Sequence, residues 1–281
     1  MSVDREMSPG RMPWWLWPTA LCMLAPLSAW SWQALFAEVT NVRLSAAAHA
    51  ALPLTVWVIA VGDRLLEASR RRTTWRHRFI RNHRTYFMGA LGVGLVILAR
   101  LIFWSLSTTI MEFGVFLGVA VLFYLFFARM EIGPKVALPR EIVRGGVYSA
   151  GVLLPTFGMA SVPPAALQLM IAQTLLVSLV LLSIACHEHQ SHAEEEPHQQ
   201  EWQSIEARIG VWLFLLLGTV MWLAHVESKQ PGNNMMLYYI MMGLVVVAAF
   251  VIYVLRKRLS TDAVHALSWV ALSLPAVVLL F

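Results

Sequence analysis

The sequence predicts an all-α, polytopic membrane bundle of about nine transmembrane helices. Three observations carry that expectation. Of 281 residues, 58% are apolar and only 13% are charged, about half the ~25% charged share of soluble domains. Nine apolar runs approach the ~20 residues that a helix needs to cross a bilayer. Lys and Arg fall almost entirely on alternate connecting segments, the asymmetry that marks cytoplasmic loops. An ordinary soluble enzyme is excluded, because it would lack the charge to cover its surface. A disordered chain needs the opposite balance. The alternating strand pattern of a membrane barrel is absent.

The runs cover 13–36, 45–62, 85–104, 109–128, 141–160, 163–186, 209–226, 236–255 and 263–281. The first follows Arg5 and Arg11, as a signal peptide would. It is too long for a signal core and has no clear small-residue cleavage site, so it reads as a retained span. The second holds His49 and Pro53. The third holds Arg100, which is costly in lipid and is expected to face the bundle interior or to snorkel. The fifth is the least apolar, with Glu141, Arg144 and a Gly145–Gly146 pair that lets helices approach closely. Glu112, His49 and His225 read as groups that cap or bond a neighbouring helix.

Net charge is +5, and topology explains it without a nucleic-acid partner. Eighteen of the 21 Lys and Arg residues fall on the side that carries the N-terminus. Arg43 and Lys229 fall on the other side, and Arg100 lies within a run. The chain is thus expected to be one membrane domain, residues 1–281, with a cytoplasmic N-terminus and a C-terminus on the opposite side of a bacterial inner membrane. Its two long cytoplasmic loops are 63–84 and 187–208. Cys22 and Cys186 offer no disulfide framework and no Cys-based zinc site.

Three clusters can carry chemistry. Asp63 and Glu67 stand four apart, on one helix face, where the second run ends. Two carboxylates there suit Mg²⁺, which takes carboxylate and phosphate oxygens. They also suit simple ion pairs with Arg64 and Arg70. The stretch from Arg70 through His77, Arg78 and Arg81 to Arg84 can fork onto phosphate. It can equally anchor the chain at anionic headgroups, with Trp75, Phe79 and Tyr86 seated in that layer. The third cluster is His187, Glu188, His189, His192, Glu194, Glu195, Glu196 and His198. His187, Glu188 and His189 sit directly at the membrane end of the sixth run, the counterpart of Asp63. The distal part reads as a solvated acidic loop.

The order of these elements resembles the UbiA-type intramembrane prenyltransferase superfamily. Asp63-Arg-Leu-Leu-Glu67 resembles the latter half of its first motif, Asn-Asp-x-x-Asp-x-x-x-Asp. Ile59 and Ala60 stand where the earlier Asn and Asp would be. Tyr124 with Arg129 resembles the Tyr and basic pair after the fourth span. Pro139-Arg-Glu141, Gly145, Gly151 and Leu154-Pro155 resemble the fifth-span pattern. His187-Glu188-His189 takes the place of the second Asp motif.

The resemblance implies transfer of a prenyl or related lipid group from a diphosphate donor to a lipophilic acceptor within the membrane. Asp63, Glu67 and Glu188, with His187 and His189, would be the catalytic and metal-binding groups, and the cofactor would be Mg²⁺. Arg64, Arg70, His77, Arg78, Arg81, Tyr124 and Arg129 would contact the diphosphate. The isoprenyl tail would lie in an apolar tunnel. Two alternatives stand beside this reading. One is a non-catalytic lipid-binding or scaffold protein that keeps the fold. The other is a small-solute transporter, which calls for midplane polar groups that these runs largely lack.

Overall fold

The computed structural model describes residues 14–67, 75–127, 134–157, 165–190, 199–229 and 235–279. Every regular element among them is helical. A short 3₁₀ turn, Trp14–Leu16, leads into α1 (Trp17–Ala20) and α2 (Leu24–Val39). Then come α3 (Ala46–Glu67), α4 (Trp75–Asn82), α5 (Arg84–Ser105) and α6 (Thr108–Phe127). The second half holds α7 (Pro134–Phe157), α8 (Ala165–Gln190), α9 (Gln199–Glu227) and α10 (Met235–Leu255). The chain closes with α11 (Thr261–Leu272) and α12 (Pro275–Val278).

Local chemistry sets the breaks. α1 and α2 meet at a 75° bend. The bend sits on Cys22, whose φ is 57°. The Met23 and Cys22 amides bond back to the Pro18 and Thr19 carbonyls at 2.8 and 3.2 Å. That is a helix C-terminal cap in which one residue turns left-handed. Asn41, with φ of 54°, ends α2 in the same way, and Val42 bonds back to Ala37. Asn accepts this conformation readily, whereas Cys22 does so under backbone strain. Ser260 caps α11 by accepting the Ala263 amide at 3.3 Å.

Each of the nine apolar runs carries helix. Among the described residues five helices are long and apolar enough to cross a membrane, or six if the bent α1–α2 pair counts as one crossing. These five are α3, α5, α8, α9 and α10. Two other runs fall short for visible reasons: α7 carries Lys135, Arg140, Glu141 and Arg144, and α11 has only 12 residues. α6 is largely apolar over its 20 residues.

Neighbouring helices pack in sequence around a circuit: α2 on α3, α3 on α5, then α6 on α7, α7 on α8, α8 on α9, α9 on α10 and α10 on α11. α11 and α12 return to α2. α5 and α6 are joined by Leu106 and Ser107 alone, yet among the described residues they lack comparable packing. The half formed by α2 and α7–α11 is filled. Trp32, Phe36, Tyr238 and Tyr239 are fully buried there. The Trp32 indole donates to the Leu272 carbonyl at 2.8 Å, and the Tyr238 hydroxyl donates to Gln173 at 2.9 Å. At the α9–α10 seam, Arg256 donates to Glu206 and lies 3.8 Å over the Tyr253 ring.

α7 meets α8 at Gly145. A methyl group there would collide with the Ser178 hydroxyl and lie 2.7 Å from the Thr174 carbonyl. Gly118 on α6 has no such neighbour. Gly145→Ala should therefore cost about 1–3 kcal/mol by overpacking. Gly118→Ala should be neutral, or stabilising by up to ~1 kcal/mol through helix propensity. Thermal unfolding of the two purified variants in one detergent measures the contrast.

Candidate functional site: an amphipathic cavity

The unpacked half of the circuit encloses a cavity of about 1240 Å³. This exceeds the ~300–1,000 Å³ of ordinary small-molecule sites. Its walls come chiefly from α3, α5, α6 and α7. Along α6 they run from Ile110 to Tyr124, about 21 Å at ~1.5 Å per residue. Most of this length is apolar, with Leu52, Val56, Leu98, Ile102, Leu117 and Val121 among the lining residues.

The polar residues gather at one end. Asp63 and Arg64 come from the last turns of α3, and Tyr124 from the last part of α6. Arg140, Glu141 and Arg144 come from the first turns of α7. Glu188 lies near the end of α8, Trp202 near the start of α9 and His265 near the start of α11. These helices alternate in direction, so those termini share one side of the bundle. Two carboxylates remote in sequence, Asp63 and Glu188, thus line the same cavity.

Glu141 is the most deeply buried of these groups, at 1% exposure. Its Oε1 accepts both Nε and Nη2 of Arg140, at 2.9 and 2.7 Å. Its Oε2 lies 3.8 Å from Nη1 of Arg144. Arg144 also reaches Asp63, with Nη2 at 3.9 Å from Oδ2. The two arginine side chains are 33% and 40% exposed, so a sunken acid backs two guanidiniums that face outward. Arg64 donates to Nε2 of His265 at 2.9 Å, linking α3 to α11. Tyr124 lies in the field of Asp63, Arg140, Glu141 and Arg144.

Of the residues expected from sequence, the cavity gathers Asp63, Arg64, Tyr124 and Glu188. Glu67 is the last residue of α3, His77 and Arg78 lie on α4, and His189 is the penultimate residue of α8. Arg81 is exposed on α4 and does not line the cavity, nor does His187. Arg70, Arg129 and the stretch from Ser191 to His198 lie outside the described residues. Arg100 is exposed on α5, away from the cavity lining. Arg140, Glu141, Arg144 and His265 are site residues that the expected set omits. The ionisable pair Glu141 and Arg144 within a largely apolar run was the available signal for two of them. A lone His265 in an apolar stretch gives none.

Mg²⁺ is commonly held by one or two carboxylates together with substrate phosphates. Among the described residues no three His, Cys, Asp or Glu side chains form a metal-binding group. Asp63 and Glu141 face guanidiniums, and Asp63 and Glu188 are the cavity acids that would hold Mg²⁺ beside a phosphate.

No family model, no curated protein and no solved structure matches this chain. The UbiA resemblance therefore stands on the residues of the chain itself.

Removing both arginines should leave Glu141 as an uncompensated buried charge. Arg140→Ala/Arg144→Ala is expected to lose about 3 kcal/mol of stability. Adding Glu141→Gln to that double variant should restore most of the loss. Denaturation midpoints of the three proteins in detergent read this out, and failure of the glutamine to rescue would contradict the assigned pairing.

Proposed function

We propose that this chain is a UbiA-like membrane protein of nine crossings that binds an isoprenyl diphosphate, or a related lipid phosphate, in the α3–α5–α6–α7 cavity. The carrying observation is the cavity's division into a long apolar barrel and one charged end. Such a shape matches an amphiphile, because burying hydrocarbon is favourable at roughly 25 cal/mol per Å² while a charged head must find partners. Arg64, Arg140 and Arg144 supply those partners at the head end. The loose α5–α6 seam offers a hydrocarbon chain a sideways path to the lipid phase. With the Arg-rich loops on the cytoplasmic side, the head end opens toward the cytoplasm.

Transfer of the prenyl group to a lipophilic acceptor is the fuller form of this reading. It draws on the resemblance around Asp63, Tyr124, Glu141 and Glu188. Binding without transfer is favoured by a specific observation, the engagement of Asp63 and Glu141 by arginines. The Mg²⁺ expected from sequence belongs to the transferase form. The large apolar cavity gives no support to a transporter of small polar solutes.

Isothermal calorimetry of the full chain in nanodiscs, with geranylgeranyl diphosphate as probe, tests the binding. A dissociation constant in the micromolar range or tighter is expected. Gly118→Trp fills open cavity space. It should weaken geranylgeranyl diphosphate at least about tenfold, or ~1.4 kcal/mol, and leave isopentenyl diphosphate, which has a five-carbon tail, nearly unaffected. Well-folded protein that binds neither probe removes the proposal. Label transfer from donor to an aromatic acceptor, lost in Asp63→Ala, separates the enzyme from the binding protein.

A further inference from the structure

The site can be read one step further, and the step rests on the lipid-phosphate reading above. We propose that Arg140 and Arg144, oriented by the buried Glu141, form a metal-independent clamp for the phosphate head of the lipid in the cavity. Three observations converge on it.

The first is the layering of charge. Glu141 is almost wholly buried, and the side chains of the two arginines beside it are a third or more exposed. A carboxylate behind an arginine fixes the fork in one orientation, so less side-chain freedom is lost when an anion arrives. The two Arg140 donors on a single Glu141 oxygen leave the rest of that planar group to a different direction of approach, since a guanidinium has five N–H donors.

The second is the position of Arg144. Its guanidinium lies 3.8 Å from Glu141 and 3.9 Å from Asp63, between α3 and α7. A phosphate oxygen at ~2.8 Å makes a shorter, charge-assisted bond. Asp63, at 24% side-chain exposure, can turn toward water as that bond forms.

The third is what the carboxylates do. Asp63 and Glu141 both stand beside guanidiniums, which compete with a metal ion for their oxygens. Guanidinium forks match phosphate geometry without a metal. Glu141 is in this scheme a positioning residue, and Arg140 and Arg144 are the binding groups.

The experiment uses the full chain in nanodiscs. Geranylgeranyl diphosphate and geranylgeraniol, which has the same tail and no phosphate, are titrated in Mg²⁺ and then in EDTA. Diphosphate affinity is expected to be the same in both buffers. Arg144→Ala should weaken the diphosphate about 10- to 100-fold, the range for a hydrogen bond to a charged group, and leave the alcohol unchanged. Arg144→Lys keeps the charge and loses the fork, so an intermediate loss is expected and guards against a fold defect in the alanine variant. Glu141→Gln should reproduce part of the diphosphate loss with alcohol binding intact, a selectivity that damaged packing would not give. Diphosphate binding that appears only with Mg²⁺ overturns the clamp and spares the lipid reading. Equal losses for alcohol and diphosphate in both Arg144 variants also overturn the clamp. Wild-type protein that binds neither ligand overturns both.

Discussion

A glutamate cannot stay charged inside an apolar bundle unless counterions come in with it. Glu141 imposes that condition on this fold. Arg140 precedes it by one residue. Arg144 follows one helical turn later and extends across to α3. The arrangement holds because α7 lies unusually close to α8, over the bare face of Gly145. A larger residue there would lift the first turns of α7, and with them the whole charged group, away from the filled half of the molecule.

The two halves of the circuit answer different demands. In α2 and α7–α11, Trp32, Tyr238 and Ser28 find buried partners across helix boundaries, the last with Tyr148 at 2.6 Å. Such satisfied polar contacts specify one packing. α5 and α6 face one another across open space, and their outer faces carry exposed apolar side chains such as Val96, Phe116 and Phe123. Those faces suit contact with lipid tails. The rigid half supplies the acid that fixes the arginines, and the open half supplies the volume.

Much of this architecture was legible in the chain. Apolar runs of span length marked where helices lie, because a backbone in lipid has few other ways to satisfy its own polar groups. The end of the second run pointed to Asp63 and Arg64, and the end of the sixth to Glu188. Their shared cavity follows from helices that alternate in direction. The number of crossings was less legible, since a bent first run, a charged fifth run and a short α11 blur the link between apolar length and span. His265 was not legible at all. Its value comes from the Arg64 side chain across the bundle, and no local pattern encodes a partner 201 residues away. The pairing of Asp63 with Arg144 was not legible either, because acids in a sequence carry no sign of the cations that fold against them from another helix.

The corner at Leu106 and Ser107 has a mechanical meaning. Two long rods pinned at one end and scarcely braced along their length form a compliant hinge, whereas every other seam of the circuit is stiffened by packing. Segments with few buried contacts are the first to move. The cavity can therefore widen at this corner while the packed half keeps its contacts.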